Sequence, residues 1–200
     1  MEENKYKLAG YLAIVQAILF PVSVVLAILE MVAAKELFNI RRPFIGPTDL
    51  LMVTFTVIAV YTLLKFRQLL HERYQYHDLD LLIMISIWWA IMFQAIGLGL
   101  AILTSILWPV DKVLFVLVYL VFMTGAMVTI GIVDILIAVK LLRIKENFGE
   151  YIRAFAYITM AAGICEVTVL LSPMALVMVP VSAIVLALIF FRDQQEVEFV

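Results

Sequence analysis

The sequence predicts an all-α membrane protein: a polytopic bundle of six transmembrane helices arranged as three hairpins, with both termini in the cytoplasm. Hydrophobic residues make up 66% of the 200 residues, and the mean hydropathy is +1.11. A soluble domain usually has about 45–50% apolar residues, and a single core cannot bury such an excess. Only 15% of the residues are charged, and they separate long apolar stretches. Lipid is therefore the expected surrounding of most of the chain.

A helix that crosses the hydrocarbon of a bilayer needs about 20 mainly apolar residues. Six spans are predicted on this basis, at about residues 8–32, 46–65, 81–107, 113–139, 154–171 and 174–191. The first follows Lys5 and Lys7 and is longer than the roughly 7–15 apolar residues of a secretory signal. It is therefore interpreted as a retained span.

The second and fourth spans have recognisable starting signals. Pro47-Thr48-Asp49 opens the second, and Pro109-Val110-Asp111 precedes the fourth. Aspartate or threonine at such a position caps free backbone N–H groups and meets the positive end of the helix dipole. The third span lies between a charged connector and Pro109. Short proline-containing turns thus join the helices of each hairpin on the outer side.

The last two spans form one apolar run. From Ala154 to Phe191 there are 38 residues, and Glu166 is the only charged one among them. A single helix of that length would measure about 57 Å, whereas the hydrocarbon is about 30 Å thick. The run must fold back on itself, and Ser172-Pro173 is the predicted turn because proline disfavours helix in the residue before it.

Orientation follows from the distribution of lysine and arginine. With six spans, ten of these residues lie on the side of the termini and four on the other side. Because positive residues are retained on the inner side, both termini are predicted to be cytoplasmic and the membrane to be the plasma membrane. On the outer side, Arg41 and Arg42 are expected to contact lipid headgroups.

Polar residues inside the spans are the candidate functional residues. Glu166, Gln94, Asp134 and Gln16 each lie on a helical stripe of small or polar residues. Helical rise places Glu166 and Gln94 at one depth, about 20 Å from the inner boundary, and Asp134 and Gln16 nearer to it. Glu166 with Gln94, and Asp134 with Gln16, are the predicted pairs. Two interpretations stay open: bonds that hold helices together, and a path for protons or cations.

Other features predict little chemistry. His71 and His77 lie in one inner connector, and a spacing of six does not place them on one helical face, so no metal site is predicted. Cys165 is the only cysteine, which excludes an intrachain disulfide. The sequence contains no zinc-protease, nucleophile-elbow or phosphate-loop motif, so an enzyme is not expected and no cofactor is predicted.

Three functions remain open from the sequence. A non-enzymatic accessory, assembly or regulatory membrane subunit is favoured, because short loops offer no chemistry and the small-residue stripes offer packing surfaces. A small cation- or proton-coupled transporter or channel is the alternative, and an intramembrane lipid-modifying enzyme is the third. The expected partners are membrane lipid and another membrane protein or a second copy. The net charge of −2 gives no basic surface for nucleic acid.

Overall fold

The computed structural model describes residues 5–36, 46–106, 112–143, 150–168 and 171–197. In these ranges the chain forms six helices and no strand, which confirms the predicted all-α bundle. They are α1 (Lys7–Glu36), α2 (Pro47–Tyr74), α3 (Asp80–Ile106), α4 (Lys112–Leu142), α5 (Glu150–Val167) and α6 (Ser172–Val197).

Five of the six helices contain a segment long and apolar enough to cross a bilayer. These segments are Lys7–Glu30, Pro47–Tyr74, Asp80–Leu100, Leu120–Leu142 and Pro173–Arg192. Helix α5 is not among them: it has 18 residues, about 27 Å at helical rise, and it contains three charged residues. The chain is therefore a multi-pass helical membrane protein in which α5 is the exceptional element.

Helix α2 extends nine residues beyond the predicted limit at residue 65. Its last turns contain both buried apolar residues and charged residues that form ion pairs or hydrogen bonds. Phe66, Leu69 and Leu70 are each only 1% exposed, whereas Arg67 and Glu72 pair with polar groups at the same end of the bundle. Burial of the apolar face stabilises the helix past the point where hydropathy falls.

Each helix packs against its neighbours in the sequence, and α6 packs against α1, which closes the bundle. The two most extensive contacts join α4 to α5 and α1 to α6. Neither of these belongs to the predicted hairpins, which pair α1 with α2, α3 with α4 and α5 with α6. The helices alternate in direction as predicted, but the tightest packing lies between hairpins.

One end of the bundle is held by aromatic packing and ion pairs. Tyr6 stacks on Phe190 with ring centroids 6.1 Å apart, and its hydroxyl donates to a Glu72 carboxylate oxygen at 2.6 Å. Lys5 forms an ion pair with the same carboxylate. The start of α1 is thereby fixed to the end of α2.

The opposite end contains the start of α2. The Gly46 N–H donates to the Asp49 carboxylate at 2.8 Å, and the Thr48 N–H donates to Glu30 at 3.4 Å. Asp49 and Glu30 thus satisfy backbone donors at the helix start, as predicted for Asp49. Arg41 and Arg42 lie outside the described residues, and the cytoplasmic placement of the termini stays a prediction.

Candidate functional site

Helices α4 and α5 cross at two glycines. A Cβ atom at Gly131 would lie 2.7 Å from the carbonyl oxygen of Gly163, and a Cβ at Gly163 would lie 2.6 Å from the carbonyl oxygen of Gly131. The two backbones therefore touch, which only glycine permits at both positions. Close approach through small residues is a common way for helices to pack in a membrane.

This crossing brings two acids together. The Glu166 Cβ lies 2.9 Å from the position that a Gly131 Cβ would take. Asp134 follows Gly131 by about one helical turn and therefore lies on the same side of α4. Glu166 is 9% exposed, and Asp134 is half-buried. Two acidic residues thus lie near the same crossing of adjacent helices.

Two buried polar atoms on α5 have no hydrogen-bond partner within the described parts of the chain. They are Oε2 of Glu166 and the hydroxyl of Thr159. The two residues are seven apart, so they lie on the same face of the helix two turns from each other. An unpaired buried polar atom is costly. A proton, a cation or water at this place would supply the missing partner.

Helix α5 ends at Val167, one residue after Glu166. The hydroxyl of Thr168 donates to the carbonyl of Ile164 at 2.9 Å and approaches that of Cys165 at 3.1 Å. The carbonyl end of a helix carries partial negative charge, which adds to the charge of the carboxylate. Some transporters coordinate Na⁺ or H⁺ at the C-terminal ends of helices. The local field at Glu166 therefore favours a cation.

The structure pairs the two glutamines differently from the sequence-based expectation. Gln16 accepts a hydrogen bond from Thr62 at 3.1 Å, and Gln94 accepts one from Thr56 at 3.3 Å. Both threonines belong to α2, which packs between α1 and α3. The acids therefore have each other as neighbours, and the glutamines connect α2 to the helices beside it.

The glycines of α3 do not form a close contact like that of Gly131 and Gly163. A Cβ at Gly97 or Gly99 would meet no atom of a described residue within 4 Å, and the same holds for Gly125 in α4. The stripe of small and polar residues in α3 that contains Gln94 also includes Gly97, and small residues allow helices to approach closely. In the described part of the chain this position faces open space instead.

The connector between α2 and α3 brings together residues that the spacing argument had kept apart. His71 contacts the Asp80 carboxylate, His77 Nδ1 lies 3.9 Å from its second oxygen, and the two imidazole centroids are 4.1 Å apart. The spacing argument assumed one continuous helix, but α2 ends between the two histidines. In the same connector, burial raises the pKa of the Tyr76 phenol, and the charge of Asp78 adds to the effect.

These features define a multi-pass helical membrane protein with paired acids between two of its helices. The family model described as MFS transporter MMSYN1_0478-like matches residues 3–162. The chain belongs to this family. No curated protein and no solved structure matches the chain significantly. The matched segment includes Asp134 and most of α5, and it ends four residues before Glu166.

Proposed function

We propose that the protein is a secondary transporter in which Glu166 and Asp134 couple movement of a substrate to a proton or a monovalent cation. The observation that carries the proposal is the buried Glu166 carboxylate at the end of α5. One of its oxygens has no partner within the described residues, and Asp134 of α4 lies near the same helix crossing. The family to which the chain belongs is described as one of transporters, which supports the same function.

The chemistry of the pair suits a coupling site. Two carboxyl groups near one helix crossing resist carrying two negative charges in a medium of low dielectric constant. The pair therefore holds a proton or a cation when it is shielded from water. Access of water from one side would allow that positive charge to leave. Alternate access from the two sides would turn this exchange into coupled transport.

An accessory or regulatory subunit is the competing function. In that case the Gly131–Gly163 crossing and the acids beside it serve only to hold α4 against α5. The unpaired Glu166 oxygen favours transport over this alternative, because a side chain kept for helix packing is expected to have its hydrogen bonds satisfied. Catalysis on lipid has no support from a clustered set of residues in the described segments.

The proposed assembly is a pair of copies in the plasma membrane. Transporters of the MFS class consist of two six-helix halves, with the substrate site near the bilayer midplane between them. The six described helices correspond in number to one such half. A second copy would supply the other half and would complete a path that a single bundle only borders.

The test is ion flux in proteoliposomes. Purified protein is reconstituted, a pH gradient or a Na⁺ or K⁺ gradient is imposed, and internal pH or cation content is followed by fluorescence. We expect flux from the native protein and its loss in Glu166→Gln, which keeps the shape of the side chain and removes its charge. Asp134→Asn is expected to reduce flux as well.

Glu150→Gln is the matched control, because Glu150 is an exposed acid at the start of the same helix. It should transport like the native protein. All variants are checked by thermal unfolding, so that loss of flux in a folded Glu166→Gln variant can be assigned to the carboxylate. Native protein that is folded and reconstituted but shows no flux with any of these ions would favour the accessory function over ion transport.

A further inference from the structure

We propose that the connector between α2 and α3 binds a divalent transition-metal ion of the Zn²⁺ class through His71, His77 and Asp80. This site is separate from the acids between α4 and α5 and does not depend on the transport function. The potential ligand atoms of the three residues all lie within 4.8 Å of one another. Imidazole nitrogen and carboxylate oxygen are ligands that Zn²⁺, Ni²⁺ and Co²⁺ accept.

The chain path explains why these residues meet. Gln75 adopts a left-handed conformation with φ 48°, and the Tyr76 N–H donates to the carbonyl of Leu70 at 3.2 Å. This arrangement ends α2 directly after the turn that contains His71. A second turn, in which the Asp80 N–H donates to the carbonyl of His77 at 3.0 Å, then starts α3. The two turns place His77 opposite His71 with Asp80 between them.

The distances are close to those of a tetrahedral site. With metal–ligand bonds of about 2.0–2.1 Å, the ligand atoms would lie about 3.3 Å apart. His71 Nε2 already touches one Asp80 oxygen, and His77 Nδ1 is 3.9 Å from the other. His77 is the most exposed of the three, with 61% of its side chain accessible. A small rotation of this ring brings the third ligand into range.

The Asp80 carboxylate can bind a metal ion while it keeps its hydrogen bonds to Arg67. Arg67 binds its two oxygens at 2.9 and 3.0 Å. A carboxylate offers about four lone-pair positions, of which Arg67 uses two and His71 a third, so a bound metal would take the place of the His71–Asp80 hydrogen bond. Arg67 fixes the orientation of the carboxylate, as groups behind a metal ligand often do. Lys140 donates to the carbonyl of Asp78 at 2.6 Å, and the positive charges of Arg67 and Lys140 weaken the binding of a cation.

The identity of the ion follows from the ligand types. Mg²⁺ and Ca²⁺ prefer shells made of oxygen ligands, whereas two imidazoles and one carboxylate suit Zn²⁺ with water at the fourth position. A bound ion would connect the end of α2 to the start of α3. Because such an ion binds only the folded connector, it would also raise the thermal stability of the protein.

The test uses the full-length chain, purified without a histidine tag. The chain has only two histidines and both are in the proposed site, so no other imidazole contributes. Zn²⁺ is titrated by calorimetry, with Mg²⁺ as the negative control, and Co²⁺ is followed by its visible absorption. We expect one Zn²⁺ per chain and a tetrahedral Co²⁺ spectrum. His71→Ala and His77→Ala should each weaken binding by at least ~10-fold.

Asp78→Asn is the matched control, because Asp78 is an exposed acid of the same connector that is not among the three ligands, and it should bind Zn²⁺ like the native chain. A second measurement does not require any variant: bound Zn²⁺ should protect both histidines of the native chain from diethyl pyrocarbonate. The proposal is overturned if histidine modification is unaffected by Zn²⁺, or if folded His71→Ala and His77→Ala variants bind Zn²⁺ as tightly as the native chain.

Discussion

The environment of Glu166 combines three features that are rarely found together in a residue that serves packing alone. It is buried at the end of a helix, it lies beside a second acid, and one of its oxygens lacks a partner within the described segments. By contrast, Glu72 accepts hydrogen bonds from Lys5, Tyr6 and Gln68 at the edge of the bundle. The Glu72 carboxylate thus has the surroundings of a structural acid.

Tyr6 allows the contribution of this structural network to be measured. Its ring is 6% exposed and stacks on Phe190, while its hydroxyl donates to Glu72. Tyr6→Phe removes the hydrogen bond and keeps the stacking, so we expect a loss of about 1–2 kcal/mol in the free energy of unfolding. Tyr6→Ala removes both and should cost about 3–5 kcal/mol. Denaturant unfolding in detergent gives both values.

Tyr157→Phe is the control for this prediction, since Tyr157 is 59% exposed. It should leave stability unchanged. Equal stability of the Tyr6→Phe and native proteins would show that water replaces the hydrogen bond to Glu72 at no cost.

The sequence predicted which single residues are unusual but did not predict their partners. Glu166, Asp134, Gln94 and Gln16 are recognisable because polar side chains are rare inside apolar spans. Helical rise gives the depth of each residue, but it does not give the order of the helices around the bundle. Gln94 therefore bonds to Thr56 on the neighbouring α2 rather than to an acid at a similar depth.

Among the elements, the crossing of α4 and α5 gives the most specific prediction. Gly163→Ala would press a methyl group against the Gly131 carbonyl oxygen at 2.6 Å, and backbone cannot move aside as a side chain can. We expect a loss of about 1–3 kcal/mol, reduced in part by the better helix propensity of alanine. Thermal unfolding in detergent measures the effect.

Gly97→Ala is the matched control for the crossing. It makes the same chemical change on α3, where a Cβ meets no atom of a described residue within 4 Å. The gain in helix propensity should leave this variant as stable as the native protein or slightly more stable. If both variants behave alike, the contact between Gly131 and Gly163 does not hold α4 against α5.

Helix positions were predictable to the extent that hydropathy determines them. The third span was predicted at 81–107 and the helix occupies Asp80–Ile106, because a long apolar run has no other stable form in lipid. The predicted end of α2, at residue 65, lies before the observed end at Tyr74. The difference arises because the last turns are stabilised by packing such as that of Phe66 against Phe155, whose rings lie 5.3 Å apart. Contacts between distant parts of the chain are not visible in a local hydropathy average.

At the scale of the whole molecule, the proposed pairing of two copies has a direct test. Native mass spectrometry or light scattering of protein in mild detergent should give twice the chain mass of 22.7 kDa. The reason is that one six-helix unit corresponds to half of an MFS transporter. A strictly monomeric protein that still shows ion flux in proteoliposomes at one copy per vesicle would refute the pairing and leave the coupling site intact.

The short helix α5 also has a consequence for the lipid around it. Glu150 and Glu166 are sixteen residues apart, so they are separated by about 24 Å, less than the roughly 30 Å of an average hydrocarbon layer. Hydrophobic mismatch of this kind is relieved when the bilayer thins locally or when neighbouring helices tilt. We therefore expect the protein to be more stable in bilayers with shorter acyl chains than in thicker ones.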